Sequence, residues 1–269
     1  MVNQYIKNYI RERYGFDVDT ATEKELGMVE EIIVNDVTGL SNRDVEWDFS
    51  NFPNLRKIDC MYNFVKKLDV SKNTKLEILL VAGVRGQYGE HPDFSHNVGL
   101  KKLTVGQDSE NSFDLSKNVN LEELTVQLSS SLRWLDISNS SKLKSIDMQG
   151  VNIPFVDLTN CNELEHVNIN YFNLYRNKCD EYGSGFPRPF VFVNESFDEN
   201  VIPQHSRSIN YYTYYLVRVK QGTPEEKFLE EIKSMKNYLI SLPEDRYGRG
   251  VAELHYELLN KLSELRRQG

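Results

Sequence analysis

The chain has few of the residues that cross-link a fold or carry it through a membrane. Its 3 cysteines in 269 residues, Cys60, Cys161 and Cys179, are too few and too scattered for a disulfide framework or a zinc site. No apolar run approaches 18 residues, so we expect no membrane-spanning helix. The net charge is −8, and nucleic-acid surfaces are normally basic, so we expect no nucleic-acid partner.

Signals for export and for catalysis are also scarce. The first residues, MVNQYIKNYIRERYG, lack the apolar core of a signal peptide, which favours a cytoplasmic location. The chain contains no HExxH, GxSxG, Walker or Rossmann glycine motif. Its 5 histidines stand at no metal-ligand spacing. We therefore expect no catalytic site, no metal and no cofactor.

The sequence does contain a unit of about 21 residues that occurs six times. Successive units start 21, 24, 21, 22 and 21 residues apart. Their first residues are Asp48, Asp69, Asp93, Asp114, Asp136 and Asp157. The apolar frame keeps one spacing, as in Val70, Leu76, Leu79 and Val81. Because one unit cannot bury these side chains alone, the units must stack and share a core.

Each unit ends in an LxxLxV segment, whose alternation of apolar and polar residues predicts a half-buried strand. Earlier in the unit, Asn73, Asn97 and Asn118 occupy one register, which Ser140 and Cys161 continue. We expect the stacked asparagines to hydrogen-bond the backbone of the next coil, where the turn would otherwise bury polar groups.

The repeated NxxLxxLxV frame resembles the leucine-rich repeat family, in a form common in bacterial proteins that include the internalin-like ones. The matching units cover a little under half of the chain. The resemblance implies an α/β leucine-rich-repeat solenoid, a right-handed β-α superhelix with helical caps at both ends. One departure is the 24-residue gap, where Gly83–Pro92 enlarges a loop.

We divide the chain into three segments: an N-terminal helical cap (1–47), six repeats (48–173) and a C-terminal capping region (174–269). The cap should hold a helix over residues 3–14 and a second one that starts at Thr20 or Thr22.

In the C-terminal region, strands at 190–193 and 209–220 could pair antiparallel. Thr223 should cap the first of two antiparallel helices. The two helices either cover the end of the solenoid or form a small appended domain. Two strands and two helices bury little core alone, which favours the cap.

A solenoid of this kind favours a non-catalytic module, a monomer that presents a concave sheet to a protein or peptide partner. The predicted binding set contains the side chains that point out of the strands and two residues of the enlarged loop. It consists of Lys57, Asp59, Met61, Ile78, Leu80, Lys102, Thr104, Glu123, Thr125, Gln127, Asp147, Gln149, His166, Asn168, Arg85 and Tyr88.

Ile78 and Leu80 are the unusual members of this set because they would be exposed apolar residues. Two interpretations stay open. Either they form a contact patch, or the enlarged loop folds over them.

The alternative function is an enzyme or effector with a site in residues 171–269. Some bacterial leucine-rich repeat effectors resemble ubiquitin ligases with a catalytic cysteine after the repeats, and Cys179 follows the repeats here. Only about 90 residues follow Cys179, however, and such ligase domains are much larger.

Overall fold

The structure is a computed structural model. It describes residues 2–35, 46–61, 63, 67–81, 92–106, 112–127, 132–149, 151, 153–170, 189–202, 215–241 and 249–268. None of the helices in these ranges combines the length and apolar character that crossing a bilayer requires.

The described residues form short strands between an N-terminal pair and a C-terminal trio of helices. The helices are α1 (Gln4–Tyr14), α2 (Glu23–Leu26), α3 (Pro224–Ser234), α4 (Lys236–Ser241) and α5 (Arg249–Gln268). The strands are β1 (Glu31–Ile33), β2 (Glu46–Asp48), β3 (Lys57–Cys60), β4 (Lys67–Asp69), β5 (Ile78–Val81), β6 (Lys102–Gly106), β7 (Ser112–Asp114), β8 (Glu123–Gln127), β9 (Trp134–Asp136), β10 (Ser145–Gln149), β11 (Phe155–Asp157), β12 (His166–Asn170), β13 (Phe190–Asn194) and β14 (Tyr215–Val219).

The LxxLxV segments form one parallel sheet in the order β1-β3-β5-β6-β8-β10-β12. Leu79 pairs with Leu103, and Leu103 pairs with Leu124, so equivalent leucines stack in register as the repeat predicted. All three are buried, and burying a side chain of this size contributes about 1.5–3 kcal/mol. The sheet has seven strands rather than six, because β1 of the expected cap pairs with β3.

The other half of the coil is a short return strand and not a helix, except between β5 and β6, where residues 82–91 lie outside the described part. Return strands pair in parallel as β2-β4, β7-β9 and β11-β13-β14. In the described residues between β2 and β12 no helix occurs, so the β-α superhelix was a wrong expectation for these units. The repeat is too short to hold a helix there, because each return strand is followed directly by a turn that its aspartate stabilises.

That turn is the same in every unit. The carboxylate of the first aspartate accepts a hydrogen bond from the backbone N–H two residues on, for example from Ser71 to Asp69 at 3.0 Å and from Thr159 to Asp157 at 3.0 Å. Asp and Asn side chains favour such turns. Asn194 makes the same bond to the N–H of Ser196, which extends the motif beyond the predicted repeats.

The stacked asparagines form a buried hydrogen-bond ladder. The amide of Asn97 donates to the carbonyl oxygens of Val70 (3.0 Å) and Asn73 (2.9 Å), and Asn118 donates to those of Phe94 and Asn97. The bonds therefore run to the preceding coil, and not to the next coil as we expected. The donors satisfy carbonyls that the tight turn leaves without strand partners.

The N-terminal helix α1 packs on the first strand. Asn3 caps it by accepting from Ile6 N at 3.0 Å, and Ile6 and Ile10 are buried in the core. The Tyr14 hydroxyl donates to Glu31 O at 3.1 Å and accepts from Glu31 N at 3.3 Å. One side chain thus satisfies both backbone groups of an edge-strand residue, which would otherwise be open to another strand.

The capping predictions have two outcomes. Thr22, one of the two predicted starts, begins α2 with a complete capping box. Thr223 precedes α3 but makes no side-chain cap bond. Its hydroxyl donates instead to Lys220 O at 2.7 Å, because that carbonyl closes the preceding turn.

In the C-terminal region, β13 and β14 pair parallel and not antiparallel, since β13 and β14 continue the stack of return strands. Helices α3 and α5 are antiparallel, as predicted: Glu225 at the start of α3 pairs with Arg266 at the end of α5 at 2.7 Å.

The helices pack on the side of the solenoid. None of their described contacts places them across its end. They share a second hydrophobic cluster with Trp134, Phe155, Phe190 and Phe192 of the return strands. Lys233 of α3 pairs with Asp157 at 3.0 Å, and Lys236 lies 5.4 Å from the centroid of the Trp134 ring.

Candidate functional site

The candidate site is the sheet face, defined as the side of the seven-stranded sheet opposite the buried leucines. Strand pairing aligns its residues in rows across the strands. The first row is Glu31, Lys57, Ile78, Lys102, Glu123, Ser145 and His166. The second row is Ile33, Asp59, Leu80, Thr104, Thr125, Asp147 and Asn168. The register therefore brings most of the predicted binding set together on one surface.

The members of this face differ in accessibility. Glu123 is exposed, and Lys57, Asp59, Lys102, Thr125, Asp147 and His166 are partly exposed. Thr104 and Asn168 lie in the predicted rows but are each only 7% exposed. Asn168 is also engaged, because its amide donates to Asp147 Oδ1 at 3.1 Å. These two residues offer a partner little contact area.

Ile78 and Leu80 are partly exposed, and both interpretations of them stay predictions. The enlarged loop, with Arg85 and Tyr88, lies outside the described residues. Met61 and Gln127 are partly exposed beside the second row. Gln149 pairs with Gln127 in the strand register, and its side chain is outside the described part.

One flank of the sheet carries a ladder of alternating charge, which we call the flank ladder. Its members are successive partners in backbone hydrogen bonds of 2.8 Å. They are Glu30, Arg56, Glu77, Lys101, Glu122, Lys144 and Glu165. Glu77 pairs with Arg56 on one side and with Lys101 at 2.8 Å on the other, and Lys144 pairs with Glu122 at 2.9 Å.

The charged side chains in the middle of the flank ladder form ion pairs with one another. The hydrogen bond from Lys101 and the charge of Arg56 lower the pKa of the Glu77 carboxyl. The bond between Glu122 and Lys144 lowers the pKa of Glu122 and raises that of Lys144. Because these groups are exposed, each pair contributes little to stability, but the flank offers a partner few free charges.

A cleft of about 390 Å³ opens beside the first strands. Its walls come from the end of α1, the start of β1 and the start of β3. The lining residues are Arg13, Tyr14, Met28, Glu30, Glu31, Arg56 and Lys57. Met28 is 56% exposed at its rim. Sequence reasoning missed this cleft, although Val29, Ile32 and Val34 carry the strand frame that places β1 there.

The two described cysteines are packed in the core. Cys60 pairs in register with Val81 and is 1% exposed. Burial raises the pKa of its thiol well above the usual value and that of Cys161 to about 12. Both therefore stay protonated and unreactive at neutral pH. Cys179 lies outside the described residues, and no three His, Cys, Asp or Glu side chains in the described ranges converge on a metal position.

Comparison with known proteins gives structural neighbours only. No protein-family model matches the chain, and no curated protein matches it. The functional domain of InlJ from Listeria monocytogenes, described as including a cysteine ladder, is 20% identical with a TM-score of 0.46. That similarity covers 67% of this chain, which spans only 46% of the InlJ chain.

Two further internalins of Listeria monocytogenes str. 4b F2365 are similar. Internalin C2 is 16% identical, with a TM-score of 0.46 over 81% of this chain and 93% of that one. The internalin inlF is 13% identical, with a TM-score of 0.24 over 62% of this chain and 75% of that one.

The chain is a solenoid of stacked parallel strands, and its repeats resemble those of leucine-rich repeat proteins. The assignment rests on its own geometry: seven parallel strands in register, the stacked leucines and the asparagine ladder.

Proposed function

We propose that the chain is a non-catalytic interaction module that presents the sheet face to a protein or peptide partner. One observation carries the proposal. Seven parallel strands align partly exposed apolar, charged and neutral polar side chains on a single surface. At about 4.8 Å per strand the surface is about 29 Å long, enough for an extended peptide or one side of a small domain.

The finer parts of the proposal concern the ends of the solenoid. We infer that residues 1–47 act as the N-terminal cap, supported by the burial of Ile6 and Ile10 and by the bonds from Tyr14 to β1. We keep 48–173 as the repeats and 174–269 as a separate C-terminal region. A monomeric state belongs to the same proposal, as does the absence of nucleic-acid partners, which the net charge of −8 supports.

The described C-terminal helices support a structural role for that region. Phe228, Leu229 and Ile232 of α3 and Leu254 and Leu258 of α5 are turned into the cluster on the return strands. Packing accounts for these residues, and the proposal of an enzyme centred on Cys179 gains no support from them.

The test replaces Ile78 and Leu80 together by Asp. Because both lie on the solvent side of β5, we expect the variant to stay folded and to lose partner capture, since two desolvated carboxylates are costly in an interface. Capture from cell lysate is measured by quantitative mass spectrometry against the unmodified chain.

The matched control replaces Val98 and Val119 by Asp. These valines are 50% and 44% exposed and follow the ladder asparagines in the turns, away from the sheet face. The control should capture the same partners as the unmodified chain. Normal capture by the folded Ile78/Leu80 variant would remove the sheet face from the proposal.

A further inference from the structure

The two halves of the sheet face differ in chemistry. Ile33, Ile78 and Leu80 on β1 and β5 and Met61 just after β3 are partly exposed apolar residues. We call these four residues the apolar patch. Asp59 lies between Ile33 and Leu80 in the second row. Towards the other end of the sheet the same rows hold Thr125, Ser145, Asp147 and His166. Desolvation therefore favours a partner's apolar side chain at the first strands only.

The cleft adjoins this patch. Lys57 lines the cleft and pairs in the strand register with Ile78 of the patch. Glu31 also lines the cleft and stands two residues before Ile33 on β1. A bound segment can therefore reach both features within two or three residues, because an extended chain advances about 3.3 Å per residue.

The cleft is lined by the cations Arg13, Arg56 and Lys57 and the anions Glu30 and Glu31, a formal excess of one positive charge. Arg13 pairs with Glu31 at 3.5 Å, and Arg56 pairs with Glu77. Lys57 has no ion-pair partner among the described residues. Asp59, which stands near it on β3, accepts a bond from Met61 N at 3.3 Å. Glu30 remains at the rim as an opposing charge. A carboxylate entering the cleft would meet Lys57 in a lining that also contains Arg13 and Arg56.

We propose that the sheet face binds an extended segment whose apolar side chain covers the apolar patch and whose carboxylate, two or three residues away, enters the cleft beside Lys57. This inference rests on the proposed function and adds the chemistry of the partner. The cleft supplies the charge preference, and the patch supplies the buried area.

The experiment is a selection from a displayed library of random ten-residue peptides on the immobilised full chain. The unmodified chain should enrich peptides with Asp or Glu two or three positions from Leu, Ile, Met or Phe. Lys57→Glu should bind those peptides about tenfold more weakly, since like charges then face each other. The same variant should enrich Lys or Arg at the acidic position.

Two variants control the result. Lys72→Glu makes the same charge change at an exposed lysine in a turn and should leave the selected motif unchanged. Lys57→Met guards against misfolding of the charge reversal, and it should lose the acidic preference without gaining a basic one. Melting curves establish that each variant is folded.

The outcomes separate the two proposals. If the enriched peptides require Ile78 and Leu80 but bind the Lys57→Glu variant equally well, the sheet face remains the proposed site. The proposal of an acidic partner would then be overturned. Absence of any enriched sequence would remove both proposals. Peptides could also be enriched only after residues 83–91 are replaced by a short linker. That result would mean that the chain's own loop occupies the apolar patch, and it would overturn the inference too.

Discussion

At the scale of single residues, the asparagine ladder does the most to hold one coil to the next. Each ladder amide is fully buried and spans two carbonyls of the preceding coil. The same two carbonyls, of Val70 and Asn73, also accept from the backbone N–H groups of Asn73 and Leu76, so an apolar residue would remove one of two bonds at each, which costs about 0.5–1.5 kcal/mol per bond.

Asn97→Ala should therefore lower the free energy of unfolding by about 1–3 kcal/mol, because it removes both side-chain bonds at once. Urea unfolding at neutral pH measures the change. Asn120→Ala is the matched control, since its amide makes only exposed bonds: it donates to Val98 O at 3.0 Å and accepts from Lys142 Nζ at 2.7 Å. The control should cost less than about 1 kcal/mol. Equal losses for the two variants would contradict a special role for the ladder.

The sequence predicted this ladder only in part. The shared register of Asn73, Asn97 and Asn118 was enough to predict stacked amides. The direction of the bonds was not predictable, because register alone does not say which neighbouring coil leaves carbonyls free within reach of the amide.

At the scale of elements, β6 and β8 approach unusually closely at Gly106. A methyl group on Gly106 would lie 2.4 Å from the carbonyl oxygen of Gln127. That oxygen belongs to a backbone held on both sides by strand pairing, so it cannot move away cheaply.

Gly106→Ala should destabilise the protein by about 1–3 kcal/mol, the usual cost of forcing an extra methyl group into a packed region. Thermal unfolding measures the effect. In Gly99→Ala the nearest atom to the new methyl group is Leu76 O at 3.5 Å, an ordinary contact. That variant should unfold near the temperature of the unmodified chain, and a comparable loss there would refute the steric explanation.

The secondary-structure elements were predicted correctly where the repeat pattern was regular. The strand β1 was assigned to the cap, although Val29, Ile32 and Val34 match the repeat frame, because an open solenoid end must be covered. The packing side of the C-terminal helices was also missed. Its signal is visible in the return strands: Glu46 and Lys67 pair at the outward position of the first units, whereas Trp134 and Phe155 take that position later. Outward aromatic residues indicate a covered surface.

At the scale of the whole molecule there are two hydrophobic clusters that share the return strands. Leu135 and Val191 face the solenoid core, whereas Trp134 and Phe192 face the helices. Elements with separate clusters can open separately. We therefore expect the helices to open while the solenoid core stays closed.

Phe228→Ala tests this division. The Phe228 ring lies 5.4 Å from that of Phe190 and 5.8 Å from that of Phe192, and its loss should cost about 3–5 kcal/mol within the helical cluster. Hydrogen exchange should show faster exchange in α3 to α5 while β5, β6 and β8 keep their protection.

The control is Tyr238→Ala on α4, since that ring is 50% exposed and its loss should leave exchange nearly unchanged. Uniform loss of protection across the chain in Phe228→Ala would show a single cooperative unit instead.

The flank ladder constrains how such a molecule can change its length. Removing one coil, for example the one that contributes Glu77, would set Arg56 beside Lys101 and break the alternation at that joint. Removing two adjacent coils would leave Arg56 beside Glu122 and keep opposite signs in contact. Insertions follow the same parity, so this solenoid can grow or shrink in even steps without a clash of like charges.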